Sequence, residues 1–421
     1  MRRHRKHDLF VGAAALLATL VAGKSTGFAG EVDAQDFTMV ERGRYLSVLS
    51  DCGSCHTIPG KNQPFAGGRP IETPFGNIVA SNITPDMETG IGAWTDDQFD
   101  AAVRKGVGRD GSRLYPAMPY NAYTRMSRQD VLAIRAYLNT VTAVHNPVVA
   151  NTLPFPFNIR SSMGVWDALY FKEGEYVSDP HRSPEWNRGA FLVDGPAHCG
   201  ACHTPKTFLG GDKTSLYLQG SPVQGWSAPN ITNDAKTGLG GWTVDDVTAY
   251  LKTGHNRITA ATGPMAEAVN LSTSKMTDED VKAIATYLKS LPGNDRMQAP
   301  LPSTAPEMTA GGAIYRDQCS ACHGLDGKGI DRLFPAVASS SMARADDPTS
   351  VIRIVVRGAR SVSTSSEPTA PGMPSYGWLL NDSQVAAVLT YIRNSWGGAA
   401  PAVSPDEVSR LRASLARRSD Y

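Results

Sequence analysis

A five-residue pattern, Cys-x-x-Cys-His, occurs three times in this 421-residue chain and uses all six of its cysteines. The copies read CGSCH at Cys52 to His56, CGACH at Cys199 to His203 and CSACH at Cys319 to His323. A thiol pair alone could form a disulfide, hold half of a zinc site or carry out redox exchange, but none of these requires a histidine directly after the second cysteine. The three copies therefore point to one repeated chemistry.

The spacing of the thiols suits one particular prosthetic group. Two thiols three residues apart on one helical turn can bond to the two vinyl groups of haem, and a histidine beside the second thiol is positioned to bind the iron. This is the attachment signal of c-type haem. Since three copies are present, the sequence predicts three covalent haems.

Two long stretches of the chain are copies of each other. NITPDMETGIGAWTDDQFDAAVRKG begins at Asn82 and returns as NITNDAKTGLGGWTVDDVTAYLKTG from Asn230, with 12 of 25 positions identical at an offset of 148. Upstream, RGRYL from Arg42 matches RGAFL from Arg188. A repeat of this size indicates two copies of one domain.

A third, more distant copy has GAIY ahead of Cys319 but lacks the Asn-Ile-Thr block. All three copies end alike, in SRQDVLAIRAYLNTV, TDEDVKAIATYLKSL and NDSQVAAVLTYIRNS. Each of these segments starts with a helix-capping residue, followed by apolar residues at helical spacing, so each predicts a terminal helix. We expect this helix to cross the opening helix of its unit closely at a glycine: Gly43, Gly189 or Gly312.

A haem that only transfers electrons needs a second axial ligand, and a methionine thioether is the usual one that raises the potential. Met118 and Met265 each follow their histidine by 62 residues, in a proline-bearing loop before the terminal helix. Met373 has the same relation to its helix, 50 residues after its histidine, since the Asn-Ile-Thr block is missing there. The rival candidates are Met126 and Met276, which directly precede helix caps and are better explained as hydrophobic staples, and also Met342 and His255.

The N-terminal segment, MRRHRKHDLFVGAAALLATLVAG, has a basic start and an apolar run from Leu9 to Gly23. This arrangement is typical of a signal peptide, and the run is short for a membrane-spanning helix. We expect cleavage near Ala29 or Ala34; an uncleaved membrane anchor is the alternative. Export agrees with haem attachment, because c-type haems are usually attached outside the cytoplasm.

The charge balance argues against nucleic acid as a partner. Without residues 1–30 the chain keeps 36 Lys and Arg against 39 Asp and Glu, so it has no strong basic field. No later run is long and apolar enough to cross a bilayer. We therefore expect the mature protein to be soluble or peripherally bound to a membrane.

The segments between and after the repeats differ in character. Residues 145–186 contain NPVVANTLPFPFN and WDALYF, and we expect them to pack across the first two domains. The proline-rich linker before the third domain predicts that this domain is held less firmly. In the tail, Val408, Leu411 and Leu415 recur at helical spacing among arginines, which is the makeup of a basic amphipathic helix able to lie on an anionic membrane, although a frayed, solvated end is the preferred interpretation.

The chain resembles the three-haem cytochrome c subunits of bacterial membrane-associated dehydrogenases over roughly residues 38–400. The resemblance rests on GRYL, CGSCHT, TPFGNIVASNITPDMETGIGAW and LYPAMPY in the first copy, on NRGAFLV, AHCGACHTP, APNIT, GLGGW and GPMAEAV in the second, and on YRDQCSACHGLDGKG, FPAV and GMPSYG in the third. It implies a mainly α fold of three tandem class I cytochrome c-like domains, each wrapped around one covalent haem c. We place the units at 1–34 (signal peptide), 35–144 (domain 1), 145–186 (inter-domain segment), 187–292 (domain 2), 293–308 (linker), 309–400 (domain 3) and 401–421 (tail).

The resemblance also implies the site residues and the partners. It places haem thioethers at Cys52, Cys55, Cys199, Cys202, Cys319 and Cys322, proximal iron ligands at His56, His203 and His323, and distal ligands at Met118, Met265 and Met373. In that family a separate flavin or quinone-cofactor subunit performs catalysis, the haems relay electrons, and membrane quinone is a usual acceptor.

We therefore expect a non-catalytic electron-transfer subunit in the periplasm, attached to the outer face of the cytoplasmic membrane. The alternatives are a free-standing electron shuttle and a haem peroxidase, which would need an open iron. Some family members end in a membrane helix, whereas this chain ends in SPDEVSRLRASLARRSDY.

Overall fold

The computed structural model describes residues 37–293 and 299–418, so the predicted signal peptide and its cleavage positions lie outside the described residues. The described part is mainly helical, with three two-stranded antiparallel hairpins. This confirms the predicted mainly α fold class. Within these ranges no helix combines the length and the apolar content needed to cross a membrane.

The first domain is framed by its opening and terminal helices. Its elements are α1 (Phe37–Leu49), α2 (Cys52–His56), β1 (Pro70–Thr73), β2 (Gly76–Val79), α3 (Asp96–Lys105), α4 (Tyr120–Tyr123) and α5 (Arg128–Leu138). In the hairpin, Pro70 pairs with Val79 and Thr73 with Gly76. Helix α6 (Met163–Tyr170), preceded by a 3-10 turn at Arg160–Ser162, belongs to the segment that follows.

The second domain repeats this order of elements. It contains α7 (Pro184–Asp194), α8 (Gly200–His203), β3 (Ser221–Val223), β4 (Trp226–Ala228), α9 (Val244–Thr253), α10 (Gly263–Leu271) and α11 (Asp278–Ser290), with 3-10 turns at Thr214–Leu216 and Thr273–Lys275. Because Pro264 falls within the first two positions of α10, its fixed φ favours a helix in a stretch that the sequence predicted as a loop.

The third domain keeps the opening and terminal helices but differs in the elements between them. Its elements are α12 (Pro306–Gln318), α13 (Ser320–His323), a 3-10 turn at Val337–Ser339, α14 (Ser341–Arg344), α15 (Thr349–Arg357), β5 (Ala359–Arg360), β6 (Gly372–Met373) and α16 (Asp382–Asn394). The tail forms α17 (Pro405–Ala416).

The terminal helices begin at the predicted caps, where the side chains of Ser127, Thr277 and Asn381 each accept a hydrogen bond from the backbone N–H three residues on. In α5 and α16 the third helical residue returns the bond and closes a capping box. In α11 the Thr277 backbone N–H donates instead to the hydroxyl of Tyr45, 3.0 Å away in the first domain. The cap of α11 therefore also joins two domains.

The opening and terminal helices of each domain cross at a glycine that leaves almost no space for a side chain. A Cβ added to Gly43 would lie 1.7 Å from the carbonyl oxygen of Ala133, and one added to Gly189 would lie 2.0 Å from that of Ala283. Since these neighbours are backbone atoms, they cannot move aside as a flexible side chain could.

In the third domain the predicted crossing glycine was wrong by one residue. A Cβ on Gly311 would lie 2.1 Å from the carbonyl oxygen of Ala387, whereas one on Gly312 would first meet the Tyr391 ring at 3.0 Å. Adjacent residues on a helix point about 100° apart. Which member of a Gly-Gly pair faces the crossing depends on the rotation of α12, and the sequence does not show that rotation.

The third domain packs directly against the second, and the expectation that it is held less firmly than the first two stays a prediction. The first two domains share one hydrophobic core, and the third has its own. A small cluster of Ala261, Val269 and Val362 bridges the second and third. Backbone bonds cross the same boundary, from Val362 N to Ala261 O at 3.1 Å and from Ala336 N to Ile258 O at 2.9 Å.

The segment 145–186 lies against both of the first two domains. The hydroxyl of Tyr120 donates to Asp167 at 2.8 Å on the side of the first domain. On the side of the second domain, the indole N–H of Trp166 donates to the carbonyl of Leu209 at 3.1 Å. Trp166 itself is buried, so this segment adds to the packing between the domains.

The tail forms a helix, but its apolar residues face the protein. Val408 and Leu415 are completely buried in the core of the third domain, and Leu411 packs against the same core. Arg412 donates to Asp382 at 2.8 Å, and Arg418 forms an ion pair with Glu72 of the first domain. The tail is therefore neither frayed nor free to lay this face on a membrane.

Candidate haem-binding sites

Each Cys-x-x-Cys-His motif forms a short helical turn directly after the opening helix of its domain. The turns are α2, α8 and α13. Helical geometry places residues i and i+3 on one side, so the two thiols of each motif share a face. In the first two domains the corner before the turn uses a residue with positive φ, Asp51 at 49° and His198 at 38°.

The histidines of the three motifs are oriented in the same way. Nδ1 lies 2.7 Å from the carbonyl oxygen of Ser81 in His56, 2.7 Å from that of Pro229 in His203, and 2.9 Å from that of Pro335 in His323. A carbonyl can only accept, so Nδ1 carries the proton and Nε2 keeps a lone pair for a metal. Burial lowers the pKa of all three imidazoles, which favours the neutral form that can bind iron.

The repeated Asn-Ile-Thr block holds these carbonyls in place. Asn82 directly follows Ser81, and its side-chain oxygen accepts bonds from the backbone and the hydroxyl of Thr84 at 2.9 and 2.8 Å. Asn230, after Pro229, makes both bonds with Thr232 at 2.8 Å. The repeated block therefore holds the carbonyl partner of the histidine that is predicted to bind iron.

The cysteines do not have the properties of a thiolate redox centre. Burial raises the pKa of Cys52 and of Cys199 to about 12, and that of Cys319 to about 11. Redox-active Cys-x-x-Cys pairs instead have a cysteine with a lowered pKa. Among the described residues, no three His, Cys, Asp or Glu side chains gather as a metal-binding group, so the pairs also lack the ligand set of a structural zinc site.

The methionines predicted as axial ligands lie in three different local structures. Met118 precedes α4 in a tight turn, with its backbone N–H bonded to Tyr115 O at 3.1 Å. Met265 lies in the first turn of α10 rather than in a loop, and Met373 lies in strand β6, paired with Ala359.

All three of these methionines are partly exposed. Met118 and Met265 pack against the core that Cys199 contacts, and Met373 packs against the core that Cys319 contacts. Their binding to iron remains a prediction.

The rival ligands have other roles in the structure. Met126 and Met276 are 0% and 1% exposed in the shared core, where Val131 and Val281 of the helices they precede are also buried, as expected of staples. His255 is buried, and its Nε2 lies 3.1 Å from Val362 O at the boundary with the third domain. Met342 lies in the short helix α14.

The first two attachment turns are neighbours in space. The hydroxyl of Tyr123 donates to Ser50 O at 2.6 Å, two residues before Cys52. The same ring packs edge-on against His198, directly before Cys199, with the ring centres 5.5 Å apart. The first domain thus meets the second at their haem turns.

The residues present fit covalent haem c. All six thiols are free of disulfides. Each histidine offers Nε2, and in the second and third domains the predicted methionine packs against the core that the first cysteine of the motif contacts. The sequence reasoning missed the carbonyl partners: Ser81 and Pro229 could have been found because each precedes the repeated block, whereas Pro335 has no such signal.

Comparisons with known proteins agree with this site chemistry. The family model described as Cytochrome c matches residues 40–142, 187–292 and 308–396. The chain is 39% identical over 417 residues to the gluconate 2-dehydrogenase cytochrome c subunit of Pantoea cypripedii, covering 94% of each chain.

Two further relatives carry the names of other dehydrogenases. The fructose dehydrogenase cytochrome subunit of Gluconobacter japonicus is 39% identical, over 89% of this chain and 82% of the relative. The cytochrome c subunit of the quinone alcohol dehydrogenase of Gluconobacter oxydans is 38% identical, over 92% of this chain and 85% of the relative.

Proposed function

The chain belongs to the cytochrome c family, and from this premise we propose that it is the three-haem electron-transfer subunit of a dehydrogenase complex. The observation that carries the proposal is the threefold recurrence of a Cys-x-x-Cys-His turn whose histidine Nδ1 donates to a backbone carbonyl. Relatives that align over most of their length are named as cytochrome subunits of dehydrogenases. The chain itself would perform no substrate chemistry.

The protein's own residues would hold and orient each haem. The two cysteines of a turn would form thioethers with the haem, His56, His203 or His323 would offer Nε2 to the iron, and Met118, Met265 or Met373 would offer a thioether sulfur as a second ligand. When bound, each haem supplies a centre that gains and loses one electron. Buried aromatic and aliphatic side chains would exclude water from it, and the backbone carbonyls would keep the histidines in one tautomer.

The partner would be a catalytic subunit with a flavin or a quinone cofactor, and membrane quinone would accept the electrons. Similar chains are named for gluconate, fructose and alcohol dehydrogenases, so the choice of substrate would belong to the catalytic subunit. We place the protein in the periplasm, exported by residues 1–34 and held at the outer face of the cytoplasmic membrane. Since the apolar face of α17 is buried, membrane contact would use another surface or the partner.

Counting haems tests the central part of the proposal. Haem staining should persist after denaturing electrophoresis, and the haem-to-protein ratio should be three because each turn carries both thiols. A ratio of one or two would contradict the proposal. Replacing Cys199 and Cys202 with alanine should remove one haem.

The role as a subunit needs a second experiment. A tagged chain purified gently from its own host should bring a flavoprotein or quinoprotein with it. Adding the substrate of that partner should then produce the absorption bands of reduced haem. Purification of the chain alone, with haems that no co-purified dehydrogenase reduces, would favour a free-standing shuttle instead.

A further inference from the structure

An ion pair crosses from the first haem turn to the helix that carries the second predicted methionine ligand. Arg69 of the first domain is 6% exposed. Both of its terminal nitrogens bind the carboxylate of Glu267 in α10, with Nη2 to Oε2 at 3.0 Å. Nη1 also donates to the carbonyl of Ser54, in the middle of the Cys52–His56 turn.

Glu267 is placed to connect this arginine to the second site. It lies two residues after Met265, and its side chain is 29% exposed. A bidentate pair between a guanidinium and a carboxylate fixes both orientation and distance. The first attachment turn is therefore held against α10 through two side chains.

The repeat shows that neither partner is required by the domain fold. The carbonyl oxygen of Arg69 accepts a hydrogen bond from Ala80 N at 2.9 Å, two residues before the first Asn-Ile-Thr block. In the second copy Ala228 is the residue equivalent to Ala80, and it pairs with Ser221, so a serine stands where the first copy has Arg69. Aligning Met118 with Met265 puts Tyr120 at the position of Glu267. Each of the first two domains thus has a charged residue at a position where the other has an uncharged one, and these two residues, Arg69 and Glu267, form the ion pair.

Other charges face the same boundary. Burial raises the pKa of Asp51 to about 7; the charge of Glu267 adds to this shift, while Arg69 and Lys275 oppose it. The pair therefore lies in a partly desolvated region, where charges are weakly screened and act strongly on one another.

We propose that the Arg69–Glu267 pair couples the first two haem sites, by fixing their separation and by balancing the charge between them. The inference rests on the proposed three-haem function. A positive charge near an iron centre disfavours its oxidised form, and a negative charge favours it. Removing one partner leaves the other unbalanced, so the two single variants should act in opposite directions.

The test is a spectroelectrochemical titration of the whole haem-loaded protein and three variants: Arg69→Gln, Glu267→Gln and the double variant. Arg69→Gln should lower the potential of the first or second haem, and Glu267→Gln should raise it. The double variant should return towards the wild type. Shifts in the same direction, or none, would overturn the proposal, because a purely structural role would change stability without opposite changes of potential.

Two further variants serve as controls. Arg69→Lys keeps the charge but loses the bidentate geometry, so the potentials should stay closer to the wild type than in Arg69→Gln. Arg104 is also buried and binds Glu175, of another segment, at 3.0 Å. Arg104→Gln should cost stability and leave the first two potentials unchanged; an equal shift in this variant would refute the specific role of Arg69.

The same titration separates this inference from the function on which it rests. If the wild type shows fewer than three one-electron centres, the proposed function fails whatever the variants do. If three centres appear and the variants do not shift them, only the coupling role fails. Glu267→Gln replaces a partly exposed side chain by one of equal size, so it provides a result even if Arg69→Gln does not fold.

Discussion

Met265 and Met276 provide a matched pair of substitutions in one domain. Met276 is 1% exposed, in the core shared by the first two domains, whereas Met265 is partly exposed in the first turn of α10. Replacing either with alanine removes the same atoms. The expected consequences differ because only Met265 is predicted to bind iron.

The loss of stability expected from each substitution depends on how deeply the methionine is buried. Met276→Ala should lower the free energy of unfolding by about 2–5 kcal/mol, as for other large-to-small changes in a core. The shared core spans about 250 residues, for which 1 kcal/mol corresponds to about 2–4 °C, so the melting temperature should fall by about 4–20 °C. Met265→Ala should cost about 1 kcal/mol in packing.

Carbon monoxide binding is the decisive assay. After reduction with dithionite, Met265→Ala should show a carbon monoxide difference spectrum for one haem per chain, with its haem still attached and its potential lowered. Met276→Ala should bind none, although it is the less stable variant. Binding in Met276→Ala but not in Met265→Ala would show that the ligand assignment is wrong.

Two other predictions concern the packing between helices and between domains. Gly311→Ala should destabilise the third domain by about 1–3 kcal/mol, because its Cβ would meet a backbone oxygen that cannot move aside. Gly312→Ala in the same helix should cost less, because its Cβ would meet the Tyr391 side chain at 3.0 Å rather than backbone. Hydrogen exchange in α12 and α16 should rise more in the first variant, and an equal rise in both would contradict the observed crossing. Burial raises the pKa of Asp280, but hydrogen bonds from Arg188 and Tyr45 outweigh it and leave the pKa lowered, so the stability from this carboxylate should be present above about pH 4 and lost as the pH falls through the folded-state value. Thermal unfolding between pH 2.5 and 6 should therefore be less steeply pH-dependent in Asp280→Asn than in the wild type, and identical slopes would refute the contribution.

The sequence by itself determined the parts of this protein that depend on neighbours along the chain. The attachment turns need only two thiols and a histidine within five residues, so their number and positions were readable directly. The caps of the terminal helices are equally local, because a cap satisfies backbone groups two or three residues away. The repeat gave the domain order, since copies of one unit must bury similar cores.

Tertiary structure decided what depends on which surfaces meet. The carbonyl acceptors of the three histidines lie 12 to 26 residues beyond them, and the third has no repeat to mark it. The choice of Gly311 over Gly312 required the rotation of α12. The spacing of apolar residues in the arginine-rich tail shows that they share one helix face. It does not show whether the protein or a membrane covers that face. Arg69 and Glu267 are 198 residues apart, and they form a pair only because two domains dock at their haem turns. Such contacts are fixed by packing across the whole molecule, which no local pattern encodes.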